Sequence, residues 1–92
     1  MDNPFQLGKL YRFNGLNGCV AFVIDDVSRK EITELKPSDC FVMLEWVAER
    51  KSTYNRKERS WHIVKVLTSD GHIGNCSIWP EEIELEKNEN NL

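Results

Sequence analysis

The chain has 92 residues, 40% of them hydrophobic and nine aromatic, with a formal net charge of −3 and a pI near 5.3. That length makes one domain, able to bury roughly 60 to 65% of its unfolded surface without a metal or a disulfide. The acidic balance excludes bulk electrostatic binding to nucleic acid or anionic lipid, and no apolar run reaches the 18 or so residues of a membrane span, so any basic footprint must be local.

The start, Met1-Asp2-Asn3-Pro4, has neither the basic nor the apolar region of a signal peptide, and the expected location is the cytoplasm. Cys19, Cys40 and Cys76 are odd in number and form no CxxC pair, which does not suit a secreted disulfide framework. Reduced, mostly buried thiols are expected, with no metal and no cofactor.

Residues 1–6 are expected to be loose, and a single barrel is expected over 7–86. The first strand is read as Leu7 to Phe13, with Leu7, Tyr11 and Phe13 on one face at period two. Asn14-Gly15 and Asn17-Gly18 supply positive-φ positions for a turn into Cys19–Ile24, which is either a strand buried on both sides or an extended arm packed on the barrel. Asp25 to Glu34 is charged and irregular and reads as a solvated loop.

Leu35-Lys36-Pro37-Ser38-Asp39 marks a turn launching a strand over Cys40 to Val47, where only Glu45 is clearly polar, the pattern of a central strand covered on most of both faces. Arg50 to Arg59 breaks the composition: five basic side chains against Glu58 alone give +4, which leaves −7 for the rest of the chain. It reads as a charged loop between strands. Trp61 to Leu67 and His72 to Trp79 then flank Ser69-Asp70-Gly71, a strong hairpin signal because Asp and Gly tolerate the positive φ of tight primed turns. Trp79-Pro80 interrupts the pairing, a short turn follows, and Ile83 and Leu85 form a closing strand. The tail, 87–92, is expected to be disordered. Five or six short strands without a helical period define an all-β barrel or sandwich.

This order of features resembles a Src-homology-3 barrel. Leu10-Tyr11-Arg12-Phe13 stands where that family has its Ala-Leu-Tyr-Asp-Tyr strand, residues 14–34 where it has its first long loop, and Leu35 to Leu44 is similar to its Phe-Lys-Lys-Gly-Asp strand entry. Trp61 through Gly74 resembles its Trp-Trp hairpin. The resemblance implies an aromatic binding floor made by Tyr11, Phe13 and Trp61. Asn75 to Pro80 does not carry the Pro…Tyr pattern that completes that floor in the family, and Trp79-Pro80 offers a different apolar wall. Small stand-alone barrels of this kind also resemble bacterial and phage accessory proteins.

No nucleophile elbow, phosphate loop or nucleotide-binding glycine pattern occurs, so no enzyme is expected. Asp70, His72 and Cys76 sketch a triad, and His62, His72 and Cys76 a metal site, but the Asp sits in a turn and structural zinc wants about four closely spaced ligands. The leading expectation is a protein-binding module using Tyr11, Phe13, Trp46, Trp61 and Trp79, since Trp and Tyr are favoured interface anchors. Its partner would be another protein with an acidic patch or an extended segment. At least one Trp, first of all Trp61, should be partly exposed. The alternative is single-stranded nucleic acid held by Arg50, Lys51, Tyr54, Arg56, Lys57 and Arg59.

Overall fold

The computed structural model describes residues 3–15 and 18–86, so the expectation for the 87–92 tail falls outside the described residues. Among them are seven strands: β1 (Leu10–Phe13), β2 (Ala21–Ile24), β3 (Glu31–Leu35), β4 (Cys40–Tyr54), β5 (Lys57–Thr68), β6 (Ile73–Ile78) and β7 (Ile83–Leu85). A 3-10 turn, Pro80–Glu82, precedes β7. All neighbours pair antiparallel in one sheet of order β3-β2-β6-β5-β4-β1-β7, curled into a half-barrel.

The spine is the β4–β5 hairpin, in register from Phe41↔Thr68 to Tyr54↔Lys57. Arg50 to Arg59 is therefore no loop but the tip of a two-stranded ribbon, turning at Asn55-Arg56. These two residues have φ of 53° and 64°, the signature of a type I′ turn, whose twist matches that of the strands it joins. Asn tolerates this region and Arg does not favour it, which is why composition alone hid the hairpin. Near the barrel, β4 carries two bulges, at Leu44 and Val47, where its register against β5 skips one residue each time. Counted from inward-facing Met43 at period two, Trp46 would point outward. The bulges instead pair Glu45 with Lys65 on the outer face and Trp46 with Val64 on the inner one.

The 25–34 loop is likewise a hairpin. Asp25 accepts the N–H groups of Val27 and Ser28 on its carboxylate and that of Arg29 on its carbonyl, closing one tight turn before β3. At the Asp70-Gly71 hairpin only Gly71 has positive φ, 90°. Its N–H donates to the Thr68 carbonyl at 3.0 Å and the Thr68 N–H to that of His72 at 2.8 Å, so this is a type I turn ending in a glycine bulge rather than a primed two-residue turn.

The core gathers Phe13, Val23, Leu35, Phe41, Met43, Val64, Val66 and Ile78, all fully buried, with Tyr11 stacked on Phe41 at 6.0 Å. Leu7 is exposed and precedes β1, so the expected first-strand face is reduced to Tyr11 and Phe13. The segment before β1 is anchored rather than loose where it is described: Phe5 packs edge-on against Tyr11 and His62, and the Gln6 N–H donates to the Tyr11 hydroxyl.

Relieving the left-handed strain at the ribbon turn should be measurable. Arg56→Gly is expected to stabilise the protein by about 0.5–1 kcal/mol, seen as a higher urea midpoint at unchanged slope. An unchanged or lower midpoint would contradict the turn geometry described here.

Candidate functional site

Alternation along β5 and β6 sorts their side chains cleanly. His62, Val64, Val66 and Thr68 face inward with Gly74, Cys76 and Ile78, while Arg59, Trp61, Ile63 and Lys65 face outward with Asn75 and Ser77. On the outer row the Trp61 and Trp79 rings meet at 5.5 Å, inclined at 54°. The Arg59 guanidinium lies 4.2 Å above the Trp79 ring and pairs with Glu81. Trp79 is held by its own N–H, which donates to Glu82 Oε1 at 2.9 Å, and by the 3-10 turn that Pro80 opens.

β2 completes this face. It is in register with β6 only at Ile24↔Asn75. Just beside that point, a Cβ on Gly74 would stand 2.7 Å from the Ile24 carbonyl oxygen and 2.8 Å from Val23 Cγ1, so the close approach of β2 depends on glycine there. Between the two strands lies a groove of about 330 Å³, lined by Phe22, Ile24 and Ile63 together with Ala21, Cys76 and Ser77. Asp25, Asp26 and Arg29 stand at its rim. Phe22 and Ile24 are 49% and 37% exposed, because only Ala21 and Val23 of β2 face the core. Along the outer rows Ile63 and Ser77, which line the groove, are followed by Trp61 and Trp79, which do not.

Charge is distributed unevenly along this surface. Bonds from Ser28, foremost its backbone N–H, and then from Val27 hold the Asp25 carboxyl below the usual carboxylate range and so keep it charged. Asp26 accepts the Asn75 Nδ2–H at 3.1 Å, which fixes that amide and leaves Asn75 Oδ1 buried without a donor. At the far end, Arg50 pairs with Trp61, Ser52 with Arg59 and position 54 with Lys57, so three basic side chains share the outer face. Glu49 and Glu58 fall on the opposite face with Lys51.

Of the residues singled out in the sequence, Trp61 and Trp79 come together on the outer face. Tyr11 and Phe13, expected at the surface, are core residues, because β1 lies between β4 and β7 and turns that edge of its pleat inward. Trp46 is half-buried on the inner face, where its Nε1–H donates to His62 Nδ1 at 3.1 Å. All three tryptophans are partly exposed. Arg50, Lys57 and Arg59 join the aromatic face, Lys51 does not, Arg56 caps the ribbon turn, and the side chain of Tyr54 lies outside the described set. Phe22, Ile24, Ile63 and Asn75 were not foreseen. The one sequence signal for them was the unbroken apolar run of β2, too hydrophobic for a strand with one free face.

The other constellations do not assemble. His62 points inward, His72 sits in the turn with its Nδ1 3.2 Å from Asp70, and no group of three or more His, Cys, Asp or Glu side chains fit to hold a metal occurs among the described residues. The thiols are free, with Cys19 exposed, Cys40 half-buried and only Cys76 buried. Burial, and secondarily the charge of Glu82, pushes the Cys76 thiol from an ordinary 9.0 up to about 12, so it is no nucleophile at neutral pH. Among the described residues no helix is long and apolar enough to cross a membrane. No protein-family model, curated protein or solved structure matches the chain.

Two outcomes check this geometry. Gly74→Ala should destabilise the fold by about 1–3 kcal/mol, by forcing β2 off β6. Because the Cys76 pKa is raised in the folded state, the unfolded chain loses this proton first as pH rises, and stability should fall between pH 9 and about 12. One such proton gives a slope of at most about 1.4 kcal/mol per pH unit. Cys76→Ala should flatten the alkaline limb of a denaturation series relative to wild type, and parallel limbs would refute the assignment.

Proposed function

We propose that the chain is a non-enzymatic protein-binding module, an adaptor or accessory protein, built on a barrel of the Src-homology-3 type and working through its outer aromatic face. The connectivity supports the barrel type: β2 and β3 form a hairpin within the first long connection, β4, β5 and β6 form a meander, and a 3-10 turn leads into a last strand that pairs with the first. The aromatic floor differs from the one the resemblance implied. Trp61 and Trp79 with Phe22, Ile24 and Ile63 take the place of Tyr11 and Phe13.

The observation that carries the reading is the uncovered apolar surface between the Asp25-Asp26 hairpin and the basic ribbon. A chain that buries Phe13, Phe41 and Met43 completely nonetheless leaves Phe22 half exposed on the outer face that also carries two half-buried tryptophans. Contiguous apolar surface rimmed by charge marks an interaction site, and tryptophan is the commonest anchor. Such a surface gains burial that salt does not screen, which suits a protein partner.

A second reading, single-stranded nucleic acid on the ribbon, draws on the segregation of Arg50, Lys57 and Arg59 onto the face of Trp61. Two features weigh against it. Arg59 already covers Trp79 and is neutralised by Glu81, and the acidic groove beyond would repel a longer polyanion.

The readings separate in two measurements. With immobilised protein and lysate of the source cell, a partner retained by wild type and by Val27→Ser, an exposed control, should be lost with Phe22→Ser and with Trp61→Ala. Labelled single-stranded DNA and RNA should bind weakly, with a log–log salt slope of about 0.7 per phosphate contact. Micromolar binding that survives physiological salt and vanishes when Arg56, Lys57 and Arg59 are all replaced by Ala would establish the nucleic-acid reading instead.

A further inference from the structure

We propose that the groove between β2 and β6, continued by the ribbon face, takes an extended protein segment with basic residues at one end, apolar residues in the middle and acidic residues at the other. This rests on the protein-binding reading and specifies the partner. The groove lies between β2 and β6, with Asp25, Asp26, Arg29 and Asn75 in its lining together with Ile63 and Ser77. From Asn75 to Trp79 is four strand residues, and from Trp61 back to Lys57 another four, which together span roughly 26 Å. About eight extended residues cover that distance, whereas a helix would need about seventeen and has a diameter of roughly 10 Å.

Each third of the track asks for different chemistry. Beside Asn75, Asp25 and Asp26 present two carboxylates, the first kept ionised by its own turn. Arg29 stands at the same rim, so the site has a net charge of −1 rather than −2, enough to favour one or two cations. Asn75 Oδ1, buried there without a donor while its Nδ2 is held by Asp26, is an acceptor that an ammonium or a peptide N–H of the segment would satisfy. In the middle Phe22, Ile24 and Ile63 present apolar side chains, with Ser77 opposite Ile63. At the ribbon end Arg50, opposite Trp61, and Lys57, four residues further along β5, are exposed, while Arg59 is engaged with Glu81, so the first two receive the acidic end. A segment of one charge sign would be attracted at one end and repelled at the other. A bipolar one is attracted at both.

The test uses fluorescein-labelled peptides of about nine residues with two lysines at one end, Leu-Val-Leu in the centre and two glutamates at the other, made in both chain directions. Controls are a peptide of the same composition with charges interleaved and one with glutamates at both ends. Fluorescence anisotropy and ¹⁵N–¹H spectra of the full chain are recorded. One direction should bind, with shifts at Phe22, Ile63, Ser77 and the indole N–H groups of Trp61 and Trp79. Phe22→Ala should weaken it by about fivefold or more, and Asp26→Asn and Arg50→Ala by about two- to fivefold each. Asp26→Lys should recover binding to the peptide with glutamates at both ends, which shows that the loss in Asp26→Asn is one of charge and not of folding. Equal binding of the interleaved control, or no binding of either bipolar peptide at about 1 mM, overturns the proposal. If the all-acidic peptide binds wild type as well as the bipolar ones, with shifts confined to Arg50, Lys57 and the tryptophans, the groove assignment fails while the protein-binding reading stands. If lysate capture is also insensitive to Phe22 and Trp61, both fail.

Discussion

The antiparallel ladder between β4 and β5 is the member to which every other strand is attached, directly or through a neighbour: β6 and then β2 and β3 on one side, β1 and then β7 on the other. Its two bulges set the rest. By inserting one residue at Leu44 and another at Val47, β4 turns Trp46 toward His62 and still returns to its original phase by Glu49, so the ribbon beyond keeps the same inner and outer faces as the barrel. Bulges also sharpen the local twist, which helps curl a seven-stranded sheet around a small core.

That shared phase gives the ribbon a functional sidedness. Because pleated strands alternate strictly, the ten residues that total +4 divide into a basic face, which Trp61 continues toward the barrel, and a mixed one. The barrel end of the same outer surface is acidic and apolar. A protein of net charge −3 thus presents one face with a gradient of charge along it, and the aromatic pair sits where the sign changes.

Much of the architecture was readable in the sequence, and the two hairpins that were not share one cause. The Asp70-Gly71 hairpin, the turn at Pro37 and the interruption at Trp79-Pro80 carry residues whose backbone preferences are local, so they stand out without context. The ribbon turn at Asn55-Arg56 and the tight turn closed by Arg29 place arginine at positive φ, where pattern reading expects glycine or asparagine, so in the sequence both hairpins look like loops. The site was harder. Tyr11 and Phe13 occupy the positions where a resemblance expects surface aromatics, yet which face of β1 is covered depends on pairing with β4 and β7, residues some 30 and 70 positions away. Ile63 differs from Val64 by nothing in composition, and only the register against β6 sends one outward and the other into the core.

The placement of β1 has a consequence for the order of assembly. The β4, β5 and β6 meander joins neighbours in the chain through short turns, whereas Tyr11↔Leu85 and Phe13↔Ile83 close a loop of some 70 residues. Loop closure of that length carries an entropic cost that the three-residue β7 alone repays poorly, so the meander is the natural nucleus and the β1–β7 seam the last to form. During synthesis β1 therefore waits on β4, and the seam stays open until residues 83–85 have emerged. In the finished protein that seam is the first place for the barrel to breathe. The Arg12–Glu86 pair, two bonds of 2.9 Å just past it, acts there as a latch.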